Sequence, residues 1–176
     1  MYLMCVLFLV YIIGLLLFKP SKPRIIESIQ TEEEVEYEEF LDSLIQEEMK
    51  KEQEYDQAVS YVEKTGSKTI SVTITKYNPE KSQCDEDPLI TADNSKIDLE
   101  KLQSGELRWV AVSRDLREHF PYGSKVVIRS NDPEIRGIWE VHDTMNERWT
   151  ERIDLLRPSG ETKGKWEEVK ISLLKS

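Results

Sequence analysis

The chain has 176 residues, a length that allows one ordinary domain with appendages. Its formal charge is −10, but residues 27–56 hold 13 acids and two lysines, so this segment has a charge of −11 and the rest of the chain +1. A nucleic-acid-binding protein is expected to carry a stripe of Lys and Arg with interleaved aromatic residues, and the near-neutral remainder has none, which argues against that function.

Residues 1–18 are uncharged and almost wholly apolar. As a helix they would extend about 27 Å, close to the thickness of a bilayer core. A cleaved signal peptide is the alternative, but it would begin with basic residues and end at small ones, whereas here the charges of Lys19 and Lys22 follow the run. The pattern therefore favours a retained membrane anchor over residues 1–18.

The orientation of this anchor stays open. Lys19, Lys22 and Arg24 follow it closely, and the positive-inside rule would keep that flank in the cytoplasm. A domain that acts on the cell wall would need the opposite side of the membrane.

The segment 31–64 has a helical pattern. Thr31 and Glu34 form a capping box, and Gly66 is a suitable stop. One narrow apolar stripe runs along the segment through Leu41, Leu44, Ile45, Met49, Tyr55, Val59 and Val62. Residues 19–66 are therefore predicted to form an acidic helical stalk or a coiled coil, with self-association through residues 31–64 as an open alternative.

After Gly66 the apolar period changes to two, which predicts β-strands. Six β-rich runs occur at 69–75, 108–113, 125–129, 137–142, 151–156 and 167–173. Turn sequences with Pro, Gly, Asn and Asp separate them, and short helices are predicted at 98–103 and 115–119. Many short strands with such turns favour a mainly β domain over residues 67–176, a small barrel or a sandwich.

Two aspartates interrupt or close apolar strands. Carboxylates are disfavoured in strands and unfavourable to bury, so each is either a turn-forming residue or a site residue. Asp143 ends its strand, where an aspartate side chain can bond the backbone of a turn. Asp154 fits the turn interpretation less well, because Ile153 and Leu155 flank it within a continuing strand.

The second half of the chain resembles the three-aspartate (3D) domain family. In that family an Asp-Thr element and an Arg-x-Asp-Leu element lie 11 residues apart, as do Asp143 in WEVHDT and Asp154 in RIDL. Other segments resemble the family in the same order, namely 72–77, 90–92, 108–113, 121–126 and 169–171. The resemblance covers residues 67–176 and is more specific than a single motif.

This resemblance implies a six-stranded double-psi β-barrel. It is similar to the catalytic core of membrane-bound lytic transglycosylase A and to rare-lipoprotein-A-like proteins, which act on peptidoglycan. By the match, Asp143 would be the general acid/base and Asp154 its carboxylate neighbour. Ser113 stands where the family has its first aspartate, and Asp115 follows two residues later, so either would fill the third position.

The resemblance also suggests where the glycan would bind. Ser113, Thr91 and Thr144 lie in or beside the matching segments. Trp149 and Trp139 each have a ring on which a sugar can stack, although core packing is the commoner position of a strand tryptophan. The family's Gly-Gly after the Asp-Thr element is replaced here by Met145 and Asn146, which predicts a bulkier groove.

No metal site or cofactor is predicted. The cysteines Cys5 and Cys84 and the histidines His119 and His142 do not occur at zinc-ligand spacing. His142 beside Asp143 would be a single ligand, whereas a site needs three or four.

Three functions therefore stay open. The first is a membrane-anchored lytic transglycosylase in the periplasm or the cell-wall space, which binds peptidoglycan glycan strands. The second is a non-catalytic wall-binding or scaffold module. The third is a barrel on the cytoplasmic side that binds a protein partner.

Overall fold

The structure, a computed structural model, describes residues 32–82, 84, 87–160 and 164–174, with side chains of the first helix from Val35 onward. The predicted anchor at 1–18 and the capping box of Thr31 with Glu34 lie outside this description. Within the described ranges, no helix combines the length and apolar character that crossing a membrane requires. From Gln46 onward the chain forms one compact unit. The predicted domain division at residues 66 and 67 stays a prediction.

The long acidic helix is present as α1 (Glu32–Thr65). It ends at Gly66, whose φ of +63° is a left-handed conformation that glycine adopts without steric penalty. Salt bridges between neighbouring turns, such as Lys51 with Glu47 at 2.7 Å, support the exposed face. One face of its last turns is buried, because Tyr55, Ala58 and Val62 form an apolar cluster with Val127 of the β domain.

The six predicted strands form a closed barrel of mixed parallel and antiparallel pairs. They are β1 (Thr69–Tyr77), β2 (Trp109–Val112), β3 (Lys125–Arg129), β4 (Gly137–Thr144), β5 (Arg152–Leu156) and β6 (Lys165–Leu174). The order around the barrel is β1-β5-β2-β4-β3-β6. The pairs β1/β5 and β2/β4 are parallel, and the other four are antiparallel. The prediction of a mainly β domain with six strands is confirmed.

Alternation along the strands fills the barrel interior. In β4, for example, Trp139 and Val141 point inward and are almost fully buried, and the residues between them are only partly buried. Trp139 also donates its indole N–H to the carbonyl oxygen of Ile135 at 2.9 Å. This tryptophan is a core residue, the commoner of its two predicted positions, and it does not offer a face to sugars.

The two short helices are close to their predicted positions. Helix α2 (Leu99–Ser104) begins at Asp98, whose carboxylate accepts hydrogen bonds from two backbone amides of the first turn. The predicted helix at 115–119 is one turn of 3-10 helix, Arg114–Leu116. Both lie in connections that lead to or from β2, and the second adjoins the candidate site.

Candidate active site

Asp143 and Asp154 lie on either side of Ala111. In the strand order β5-β2-β4, Ala111 of β2 pairs with Asp154 on one side and with Asp143 on the other. Directly paired residues project to the same face of a sheet, so both carboxylates face the same side. Because strands are about 4.8 Å apart, the two Cα atoms lie about 10 Å apart across β2. The small side chain of Ala111 leaves the space between the carboxylates open.

A β-bulge produces this arrangement. Val110 pairs with Val141, but the next residue, Ala111, pairs with Asp143, so His142 is the extra residue on β4. Without the bulge, His142 would lie opposite Ala111, and Asp143 would pair one position further along β2. The bulge therefore aims Asp143, rather than His142, at Asp154.

Three hydrogen-bond donors hold the Asp143 carboxylate. Its Oδ1 accepts from the backbone amides of Thr144 at 2.8 Å and Ala92 at 3.0 Å, and its Oδ2 accepts from the Tyr77 hydroxyl at 3.2 Å. Burial, and then the charge of Asp143, raise the pKa of Tyr77 well above its ordinary value. The Tyr77 hydroxyl therefore keeps its proton and acts as a donor.

The carboxyl group of Asp154 is partly buried. Burial raises the pKa of Asp154, and the charge of Asp143 raises it further, against the opposing effects of the Thr75 hydroxyl and of Arg152. The Thr75 hydroxyl donates to Asp154 Oδ1. Burial, with a smaller effect of the Asp143 charge, thus favours a protonated Asp154.

The loop 91–95 supplies the Ala92 amide and is itself tightly held. The Thr91 hydroxyl donates to Asp93 Oδ1 at 2.6 Å, and the Ser95 amide donates to the same oxygen at 3.0 Å. Asp93 Oδ2 lies 2.8 Å from Nδ1 of His142. Burial raises the pKa of Asp93, but hydrogen bonds from Thr91, Ser95 and His142 together outweigh it and hold the pKa below its ordinary value. This network fixes the loop against β4 beside Asp143.

The two aspartates open into a cleft of about 1070 Å³. Of the predicted binding residues, Thr91, Thr144 and Trp149 line it. Thr91 is only 4% exposed, and its hydroxyl is used within the loop. The Thr144 hydroxyl lies 2.6 Å from that of Tyr122.

Trp149 lines the cleft with one side and is held from another. The guanidinium of Arg152 lies 4.0 Å from the ring centroid of Trp149, a cation–π contact. Met145 and Asn146, which replace the family's glycines, also line the cleft, and Met145 is only 6% exposed. The methionine side chain therefore packs beneath the cleft in a second apolar cluster, and the residue that projects is the exposed Asn146.

Ser113 and Asp115 have other contacts. Ser113 is fully buried, and its hydroxyl accepts a hydrogen bond from the Arg152 amide at 3.1 Å. Asp115 is exposed and accepts from the Glu151 amide at 2.9 Å. Neither is among the described residues that line the cleft. Both stabilise the start of β5. Among the described residues, the aspartates that do line the cleft are Asp87, Asp143 and Asp154.

The metal interpretation gains no support from His142. Its ring packs on Trp109, with ring centroids 4.0 Å apart. In the part of the chain that the structure describes, no three metal-ligating side chains cluster as a metal site would require.

Sequence reasoning missed several residues that line the cleft, among them Tyr77, Asp87, Arg114 and Arg148. Tyr77 lies in a segment that resembles the family's first strand, but nothing in the sequence pairs its hydroxyl with Asp143. The arginines follow β2 and β4, and only the parallel pairing of those strands brings them to one place.

A scan against protein-family models found no matching family, and a search of curated proteins found no matching relative.

Proposed function

We propose that this protein is a lytic transglycosylase that cleaves peptidoglycan glycan strands by general acid/base catalysis. The observation that carries the proposal is the position of Asp143 and Asp154 on both sides of Ala111, facing one cleft. Two carboxyls in one groove are the groups that glycosidic bond cleavage uses.

The chemistry fits a pair that shares a proton. A carboxyl protonates the leaving glycosidic oxygen, and the pair then accepts the proton of the sugar's 6-hydroxyl as that oxygen attacks C1. The product is a 1,6-anhydro sugar, and no water or cofactor is consumed. Asp143 and Asp154 titrate as one coupled unit in this scheme, and burial raises the pKa of Asp154, which favours its protonated form. The Tyr77 hydroxyl and the two backbone amides orient Asp143.

We further propose that the barrel is a double-psi barrel of the three-aspartate type. The sequence resemblance supports this assignment. So do the two parallel strand pairs, β1/β5 and β2/β4, within a closed barrel of six strands. The aspartates that match the family's motifs lie on the second strand of each pair.

The proposed location is the outer side of a membrane, with residues 1–18 as the anchor and the barrel in the periplasm or the cell-wall space. Protease accessibility of the barrel in intact cells tests this topology. Digestion only after the cells are broken would favour the cytoplasmic, protein-binding alternative. Self-association through residues 31–64 also stays a prediction.

Digestion of purified peptidoglycan tests the proposed activity. The full-length chain is expected to release anhydro-muropeptides, detected by mass spectrometry. Asp143→Asn is expected to lower their yield by at least about 100-fold, the usual contribution of a general acid/base. Asp115→Asn is the matched control and should keep activity, because Asp115 contacts the Glu151 backbone outside the cleft. Equal yield from Asp143→Asn, or no anhydro product from wild type, would refute the proposal.

The second candidate is a non-catalytic peptidoglycan-binding module. The observation that favours it is that neither Ser113 nor Asp115, the candidates for the family's third position, is among the described residues that line the cleft, where Met145 and Asn146 also replace the family's glycines. Sedimentation with insoluble peptidoglycan that is unchanged in Asp143→Asn, without product release from wild type, would select this function.

A further inference from the structure

The strands β2 and β4 end side by side at one rim of the cleft. They are parallel, Val112 pairs with Thr144, and the Met145 amide donates to the Val112 carbonyl oxygen at 2.9 Å. The carboxyl ends of adjacent parallel strands meet at the same edge, so the segments that follow them start together. Arg114 comes two residues after Val112, and Arg148 four residues after Thr144.

Both arginines are exposed and line the cleft, and neither has a carboxylate partner among the described residues. Neither guanidinium makes an ion pair with another residue in the described ranges, although Arg148 lies 5.1 Å from the ring centroid of Trp149. Other arginines in the same unit are used within the fold. Arg136 forms a two-point contact with Glu52 at 2.5 and 2.7 Å, and Arg129 reaches Glu63 at 3.7 Å. Two guanidinium groups without a carboxylate partner in the described ranges therefore line a cleft that also holds the carboxyls of Asp87, Asp143 and Asp154.

We propose that Arg114 and Arg148 form a subsite for a carboxylate of the substrate, next to the aspartate pair. This inference rests on the proposed function and specifies its substrate class: an acidic, muramyl-type glycan that carries a lactyl or stem-peptide carboxylate, in preference to a neutral chitin-type glycan. A guanidinium presents its N–H groups in a fork that matches a carboxylate, and a charge-assisted hydrogen bond of this kind is stronger than a neutral one.

Charge placement explains why such a subsite is useful here. An acidic substrate would be repelled by Asp143 and by any ionised Asp154 if its carboxylate entered the floor of the cleft. Positive charge at the rim holds the acidic group away from the aspartates and leaves the uncharged glycosidic bond nearest to them. The arrangement thus sets the direction in which the glycan lies as well as its affinity.

Calorimetric binding of two defined probes to the full-length chain tests the subsite. The probes are a soluble disaccharide-peptide from peptidoglycan and a chitin oligosaccharide of the same sugar number. Arg114→Gln and Arg148→Gln are each expected to weaken binding of the disaccharide-peptide about 10-fold, the usual effect of one hydrogen bond to a charged group, and to leave chitin binding unchanged. Arg148→Lys should restore part of the loss. Lys170→Gln, which removes an exposed cation from β6 away from the cleft, should change neither probe.

The outcomes separate this inference from the proposed activity. Arginine-dependent binding without anhydro product would refute the transglycosylase and keep the subsite. Anhydro product with equal affinity in the arginine variants would refute the subsite and keep the enzyme. Equal losses for both probes, or no binding of the disaccharide-peptide by wild type, would also overturn the subsite. Thermal melting confirms that the variants are folded, as expected for two exposed side chains.

Discussion

Two flanks of the barrel show opposite chemistry. Against β3 and β6 the last turns of α1 bury Tyr55, Ala58 and Val62, and their neighbours in this cluster are apolar. On the flank formed by β5, β2 and β4, the same barrel faces a cleft with the carboxyls of Asp143 and Asp154. The α1 flank buries apolar side chains, whereas the cleft flank partly buries the carboxyl groups of Asp143 and Asp154.

The difference indicates what each flank contributes. Burial of apolar side chains stabilises the fold by about 25 cal/mol per Å². Partial burial of Asp154 opposes its ionisation and therefore opposes folding at neutral pH. We infer that the α1 flank stabilises the fold and has no direct role in catalysis. Partial burial of Asp154 in the cleft flank lowers stability but favours a carboxyl group that holds a proton. Three substitutions test this division.

The largest expected change in stability is on the helix flank. Val62 is 2% exposed, and Val62→Ala removes two methyl groups and leaves a cavity against the barrel. The free energy of unfolding should fall by about 1–3 kcal/mol. Denaturation in urea measures the fall, while product release from peptidoglycan should stay at the level of wild type in conditions where the protein is folded.

The matched control for this prediction is on the same helix. Val35→Ala is the same chemical change at a side chain that is 40% exposed, and it should alter the free energy of unfolding by less than about 0.5 kcal/mol. Alanine has a higher helix propensity than valine, so propensity cannot cause a loss in either variant. A similar loss in both variants would contradict packing of Val62 on the barrel as its cause.

Most of the fold follows from local sequence patterns. The alternation in 69–75 and the turn residues between later runs predict six strands, and the structure has them. The closing of the barrel does not follow from local pattern, because parallel pairs such as β1/β5 join residues far apart in sequence. The same limit applies to α1, whose stripe predicts an apolar face but not the barrel surface that covers Val62.

The candidate site was predictable only in part. The motif resemblance singled out Asp143 and Asp154, whose Cα atoms lie opposite one alanine. The bulge at His142 that aims Asp143 has no sequence signature of its own, since it depends on the pairing of β4 with β2. The sequence alone does not show whether Asp115 belongs to the site. Its contact with the Glu151 backbone depends on the path of the chain into β5.

The cleft flank is tested by Asp154→Asn, with an expected gain rather than a loss of stability. The pKa of Asp154 is raised in the folded state, so the folded protein holds a proton that the unfolded chain releases. Stability from this group is therefore lost as pH rises from the ordinary value of 3.8 through the raised pKa. Asparagine does not titrate and can still accept from Thr75. The variant should be about 1 kcal/mol more stable than wild type at pH 7, and the difference should vanish near pH 3.

The matched control, Asp93→Asn, is expected to change stability in the opposite direction. The pKa of Asp93 is lowered, so its contribution is present above its ordinary pKa of 3.8 and lost as pH falls through the lowered value. Asp93→Asn should therefore destabilise the protein at pH 7 and have less effect in acid. If both variants changed stability in the same direction at pH 7, the assignment of Asp154 as the unfavourably buried carboxyl would be wrong.

The smallest expected change in stability is for an ion pair on the helix flank, and it tests whether charge contributes to stability there. The guanidinium of Arg136 contacts Glu52 and lies 4.0 Å from the ring centroid of Tyr55. The hydrogen bond with Arg136 lowers the pKa of Glu52, so this contribution is present above the ordinary carboxyl pKa and is lost as pH falls through the lowered one. The pair is solvent-exposed, so Glu52→Gln should lower the free energy of unfolding by about 0.5 kcal/mol at pH 7, and by less in high salt.

A double-mutant cycle with Arg136→Gln isolates this pair from other effects of either substitution. Glu54→Gln is the matched control, because Glu54 is exposed on the same helix and its contact to Lys50 is long, at 4.0 Å. A coupling energy near zero would show that this ion pair does not stabilise the contact between α1 and the barrel, and would sharpen the contrast with the cleft. A coupling well above 1 kcal/mol would show that this flank also depends on charge, and the proposed division of labour between the two flanks would fail.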